Sequence, residues 1–187
     1  MKRIVVGVSG ASGTTYALNL LQKLHELPEV EIHLVASQWA EKNLALETNT
    51  TLAELKSLAD YTYDNHDLGV AIASGSFLTD GMVVIPASMK TVASIANAFD
   101  DTLIARAADV TIKEMRRLII VPRESPLSMI HLENLAKLAR VGAQIIPPIP
   151  AFYNHPRTTK DLVDHQSMKI MDAFGIQTSF GHRWEGE

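Results

Sequence analysis

The stretch VGVSGASGTTYALNLL sets three glycines, Gly7, Gly10 and Gly13, between an apolar run and a helical pattern. Glycines in such a turn let backbone N–H groups approach a phosphate, and the free amides and dipole of the following helix favour its charge. The dinucleotide fingerprint G-x-G-x-x-G would need glycine at position 8, where Val8 stands. An acidic residue for a ribose should end the second strand, and Ser37 is there instead. No Gly-Lys-Ser/Thr occurs, which excludes a P-loop. A mononucleotide such as FMN fits better than NAD or ATP. The turn SGASG, with Gly10, Ala11 and Ser12, is its first element, and the hydroxyls of ASQW (Ser37) and PASMKT (Ser88, Thr91) add two more helix starts. Any one of these hydroxyls could be a plain N-cap. Three beside a glycine turn point to a nucleotide site.

A second set of residues could handle an anionic substrate. RAADVTIKE places Arg106 and Lys113 seven residues apart, nearly on one helical face, with Asp109 at the turn between. Alone this run reads as a solvated charged face. Arg123, Glu124, Tyr153 and Lys169 fall in segments that could reach the same rim. Cations with one carboxylate and a phenol suit a leaving group that must be stabilised and protonated. Seven histidines form no H-E-x-x-H pair, so His131, His155 and His165 read as structural or surface residues. Asp100-Asp101 lacks the third aspartate of a magnesium–diphosphate motif, so no metal is expected.

These groups must be carried by alternating strands and helices. Strands are expected at Lys2–Val8, Val30–Ser37, Gly81–Ser88, RLIIVP and AQIIPP. Helices are expected at Thr14–Leu27, Trp39–Glu47, a short piece after the Thr51/Glu54 capping box, Met89–Ala98, a segment capped by Asp100 or Asp101 and running to about Arg116, Ser128–Val141 and Thr159–Phe174. Met168 and Met171 pack a helix face, and Trp184 docks at a subunit contact. The alternation predicts an α/β fold: a Rossmann-like (flavodoxin-like), doubly wound, mostly parallel sheet in a single domain over 1–187. The C-terminal helix and tail, about 158–187, are expected at subunit contacts.

Composition narrows the classes. With 187 residues, 47% hydrophobic and 20% charged, the chain reads as one globular domain. A net charge of −4 gives no reason to bind nucleic acid, and no apolar run is long enough for a membrane span. The absence of cysteine removes disulfides and thiol chemistry and fits a cytoplasmic location.

The segments GVSGASGTTYA, SQWAEKNLALET, ASGSFLTDGMVVIPASMKT, RAADVTIKEMRRLIIVPRESPLSMIHLENL and GAQIIPPIPAFYNHPRT together resemble the UbiX-type flavin prenyltransferases. The likeness is closest to the branch encoded beside phenolic-acid decarboxylases, and it covers nearly the whole chain in order. It implies transfer of the dimethylallyl group of dimethylallyl monophosphate to N5 and C6 of reduced FMN, without a metal. Prenylated FMN would then pass to a UbiD-type decarboxylase. By the same resemblance Gly10, Ala11, Ser12, Ser37, Ser88, Met89, Lys90, Thr91 and Arg123 contact FMN. Arg106, Lys113, Arg123, Glu124, Tyr153 and Lys169 hold the donor. Glu124 helps to protonate the departing phosphate, Ser12 and Glu47 manage the proton lost from C6, and Lys113 also belongs to the catalytic set. The family forms dodecameric shells with sites at subunit junctions, which implies a homo-oligomer.

Two positions depart from the family pattern. Ala87 stands where many relatives have cysteine, and Lys169 keeps the charge of an alternative arginine but loses its bidentate geometry. Competing readings are a subunit that itself decarboxylates a phenolic acid, a peptidyl-cysteine decarboxylase, or a non-catalytic FMN carrier. No residue set obviously activates a carboxylate for loss of CO2, and the histidine expected of the cysteine decarboxylases is not seen near Ser88–Thr91.

Overall fold

Residues 1–181, 183, 184 and 186 are described by the structure, a computed structural model. The chain runs β1 (Lys2–Val8), α1 (Thr14–His25), β2 (Val30–Ala36), α2 (Gln38–Glu47), α3 (Leu52–Lys56), β3 (Tyr61–Asp64), a 3-10 turn (Ala71–Ala73) and β4 (Gly81–Ala87). It continues through α4 (Met89–Ala96), α5 (Leu103–Lys113), β5 (Arg117–Pro122), α6 (Met129–Arg140), β6 (Gln144–Ile145) and α7 (Thr159–Ala173). All strands are parallel, in the order β3-β2-β1-β4-β5-β6.

The central strands are apolar throughout because both faces are covered. Ile4, Val6 and Val8 of β1, with Val83 and Ile85 of β4, enter one core beneath α1 and α7. Val5, Met82 and Val84 alternate into the other, where α4 and α5 pack. Met168 and Met171 are buried on α7, as their spacing predicts.

Four differences from the sequence expectation have physical causes. First, the sheet has six strands, not five: β3 is a short, mostly exposed edge strand whose polar residues carry little hydrophobic signal. Second, β6 spans two residues, because Pro147 and Pro148 remove the ladder donors that AQIIPP would need. Third, α4 stops at Ala96, with Ala98 in the left-handed region at φ 50. Fourth, the N-cap of α5 is Thr102, whose Oγ1 accepts from the Ala105 amide at 3.4 Å. Asp100 is instead turned to Arg106.

This strand order places a topological switch between β1 and β4, where their connections leave in opposite directions and open a crevice. The buried Ser9 hydroxyl pins the two strand ends together there. It donates to the Pro86 carbonyl at 2.8 Å and accepts from the Ser88 amide at 2.8 Å.

Candidate active site at the sheet's carboxyl ends

A cavity of about 480 Å³ opens at this switch point, between the Gly10 turn and the starts of α2, α4 and α5. Ser37 Oγ accepts from the Ala40 amide at 3.2 Å and Ser88 Oγ from the Thr91 amide at 3.3 Å. These hydroxyls are therefore N-caps. Capping the third amide leaves the earlier amides of each helix without an intrahelical partner, and the starts of α2, α4 and α5 all border the cavity, where helix dipoles favour an anion. Exposed Lys90 adds a mobile positive charge at the wall.

Gly10, Ser37, Ser88, Lys90 and Thr91 of the expected FMN set line this cavity. Ala11 and Ser12 follow Gly10 on the same turn, whereas Met89 is buried in the core under the α4 start. The Arg123 amide donates to the Ala87 carbonyl at 3.1 Å, which sets Arg123 beside the Ser88 wall. Glycine is required at position 10 by space: an added Cβ would lie 2.4 Å from Trp39 Cβ. At Gly13 the requirement is conformational, with φ 105 at the start of α1.

Asn65 and His66 also line the cavity and were missed by sequence reasoning, because they follow the unrecognised β3. The Tyr61/Tyr63 alternation before an Asp-Asn turn was the available signal. Buried Asn65 anchors α5: its carbonyl accepts from the Leu103 amide at 2.8 Å and its Oδ1 from the Ile104 amide at 3.2 Å. The α5 start, with Thr102 and Ile104, is thereby held at the cavity wall.

Glu47 ends α2 but reaches back across the glycine turn. Its carboxylate accepts from the amides of Gly13 and Thr14 and from the Thr14 hydroxyl, each at 2.8 Å. Desolvation alone would raise its pKa. The hydroxyls of Ser12 and Thr14 and the two amides outweigh that and hold it below the ordinary 4.5. Ser12, Gly13 and Glu47 thus form one hydrogen-bonded unit on the turn that begins at Gly10.

The donor-side residues fall in four places. Arg123 and Glu124 stand exposed at the carboxyl end of β5, with Glu124 Oε1 accepting from the Ser125 amide at 3.0 Å. Lys113 lies four residues before β5 begins, roughly 20 Å of strand away, paired with Glu114 at 2.5 Å. Tyr153 and Lys169 lie at α7 on the opposite face of the sheet, Tyr153 edge-on to His165 at 6.0 Å and to Trp184 at 5.9 Å. Among the described residues no hydrogen bond or ion pair joins these sets to one another. Arg106 is held apart again: Nε donates to the Ala73 carbonyl at 3.1 Å, and Nη1 lies 3.3 Å from Asp100 and 3.1 Å from Asp109. Burial first, then the like charge of Asp100, pushes the Asp109 carboxyl up, partly offset by Arg106. Of the histidines, His131 completes a capping box with Ser128, His155 is exposed, and His165 is buried.

Gly10→Ala should displace Trp39 and lower FMN retention at least tenfold, measured by flavin titration, while the far-UV spectrum stays that of the parent. Glu47→Gln should lower Tm at neutral pH. Because the folded pKa lies below 4.5, the wild-type advantage should be complete above that pH and vanish as pH falls through the depressed folded value. Melting curves of both proteins across the acid range check this.

Comparison with known proteins agrees with this fold. The family described as Flavoprotein matches residues 1–171. The flavin prenyltransferase LpdB of Lactiplantibacillus plantarum is 69% identical over 187 residues, covering 100% of both chains. A dodecameric FMN-dependent UbiX-like decarboxylase from Escherichia coli O157:H7 superimposes with a TM-score of 0.97 at 48% identity, covering 98% of this chain and 100% of that one. AnUbiX (PadA1), solved in complex with FMN and dimethylallyl pyrophosphate, gives 0.97 at 45% identity, covering 100% of this chain and 98% of its own. By these matches the chain belongs to the flavoprotein family and, within it, to the UbiX-type flavin prenyltransferases.

Proposed function

We propose that this protein joins the dimethylallyl group of dimethylallyl monophosphate to N5 and C6 of reduced FMN. The observation that carries the reading is the cavity at the β1/β4 switch, rimmed by three helix N-termini, with Arg123 and Glu124 following directly at the next strand end. The Gly10 turn, Ser37, Ser88 and Thr91 hold the FMN phosphate, and Lys90 neutralises it. Reduced FMN supplies the nucleophilic N5 and C6.

Arg123 offers its charge to the donor phosphate, and the exposed Glu124 is free to carry the proton that the departing phosphate takes. Glu47, held below its ordinary pKa by its donors, fixes the Ser12 hydroxyl, and this pair would take up the proton lost from C6 when the second bond forms. Lys113, Tyr153 and Lys169, each far from Glu124 in one chain, complete a donor site when neighbouring copies meet. A homo-oligomer, most simply a dodecamer like the superimposed E. coli protein, supports this arrangement. The C-terminal helix and tail, about 158–187, would serve those contacts, with 182, 185 and 187 lying outside the described residues. By the sequence resemblance, the product serves a UbiD-type decarboxylase in the cytoplasm. Among the described residues no helix is long and apolar enough to cross a membrane.

Purified protein incubated with reduced FMN and dimethylallyl monophosphate should yield flavin heavier by one isoprenyl group in mass analysis. Absence of that adduct, with CO2 released from a phenolic acid without a partner, would replace prenyl transfer by direct decarboxylation. Glu124→Gln should slow adduct formation roughly 10²-fold if its carboxyl is the proton donor. An unchanged rate removes that role.

A further inference from the structure

Asn65 is only 8% exposed, yet it borders the cavity at the β1/β4 switch. Its place follows from the sheet register. Ala36 of β2 is paired with Asp64 of β3, so Ser37 and Asn65 leave the sheet side by side. Both also line a neighbouring cavity of about 430 Å³, which puts them on the ridge between the two. The carboxamide has one orientation: Oδ1 accepts from the Ile104 amide at 3.2 Å, and the flipped group would set two donors against each other. Among the described residues Nδ2 has no hydrogen-bond partner, although a buried polar group ordinarily has one. The start of α5 offers no substitute. The amides of Leu103, Ile104 and Ala105 are taken by the Asn65 carbonyl, Asn65 Oδ1 and Thr102 Oγ1. Nδ2 is therefore the N–H group that this corner of the cavity has to offer.

We propose that Asn65 is a cofactor-binding residue whose Nδ2 donates to the phosphate of FMN beside Ser37. The proposal rests on the reading above that this cavity holds FMN. In that reading Arg123 and Glu124 act at the reacting ring, and they stand at the end of β5. In the order β3-β2-β1-β4-β5-β6 the ends of β2 and β3 lie on the other side of the switch. A flavin with its ring towards β5 sends its tail towards Ser37 and Asn65. Lys90 meets the phosphate there with an exposed, mobile charge, whereas Asn65 is neutral, buried and already oriented. Because Oδ1 accepts from an α5 amide, the Nδ2–H bonds are polarised, and the carboxamide passes part of the α5 dipole on to the anion. Asp101 is the one carboxylate among the described residues lining the cavity, and its exposed charge is screened by water. An unmet donor at so buried a position is costly, and a phosphate oxygen removes that cost. One side chain then anchors α5 and grips the cofactor.

Asn65→Asp separates the two roles, because it keeps an acceptor for the Ile104 amide and replaces the donor by a carboxylate oxygen. At pH about 8, where the new carboxyl is ionised, its Kd for FMN should rise at least about tenfold in flavin fluorescence titrations. That is the scale of one lost hydrogen bond to a charged group. Its Kd for riboflavin, which has no phosphate, should stay close to that of wild type. Its Tm without flavin should equal or exceed that of wild type, since a negative charge suits a helix start. The phosphorus NMR resonance of bound FMN should move between the two proteins. Asn65→Ala, which removes the acceptor as well, should lower both Tm and FMN affinity; if it does not fold, Asn65→Asp still decides. Equal losses for FMN and riboflavin would place Asn65 away from the phosphate and overturn the proposal. So would an unchanged Kd for FMN, an unmoved phosphorus resonance, or a wild type that binds no FMN. If wild type binds FMN and the variant discriminates as expected, but no prenyl adduct forms, the role of Asn65 stands and the prenyl-transfer reading fails.

Discussion

The Ser9 hydroxyl, held between the Pro86 carbonyl and the Ser88 amide, is the interaction on which the site depends. It joins the ends of β1 and β4 at the point where the chain departs to opposite faces of the sheet. The glycine turn, the α1 start and the α4 start therefore share one fixed origin. Ser9 is buried, so both of its bonds form in a medium that makes an unmade bond costly. The Arg123 amide extends the same alignment by one strand, through the Ala87 carbonyl. A continuous rim from Gly10 to Glu124 follows from backbone bonds and one hydroxyl, before any charged side chain contributes.

On that rim, side-chain charge is used to set geometry as much as to bind. Glu47 gathers four donors around the start of α1, and the cost of its partial burial is outweighed by them. Asp100 and Asp109 do the equivalent for Arg106 with the signs exchanged. In both places an ionised group that sequence reading would give to solvent fixes a neighbour's orientation.

How much of this the sequence disclosed depended on the period and range of each signal. The buried strands were legible because continuous Val/Ile runs between turn residues occur only where both sheet faces are covered, as in Gly81–Ala87. Ser37 and Ser88 were legible as helix starts because capping is local. β3 was not, since an exposed edge strand of four residues has no core face to imprint a pattern, and Asn65 and His66 were lost with it. The cap of α5 was assigned to an aspartate because Asp and Thr are both good caps. The choice was made by Arg106, six residues on, which takes the Asp100 carboxylate. The reach of Glu47 over 34 residues to Gly13 had no local signature at all.

The spatial separation of Glu124, Lys113 and Lys169 is the remaining constraint, and the surface bears on it. Met129 and Ile130 at the start of α6, and Ile149 and Phe152 on the proline-rich loop, are each at least 68% exposed. The first pair follows the Glu124 segment in sequence, and the second leads to Tyr153. Large apolar side chains left in water beside polar site residues are what a subunit contact covers. The proline-rich loop supports such a role physically: its prolines restrict the backbone before any contact forms, so less conformational entropy is lost on docking. If the copies meet there, the water excluded by Met129, Ile130, Ile149 and Phe152 is also excluded from the flank of Glu124. The contact would then strengthen the electrostatics of the site that it assembles.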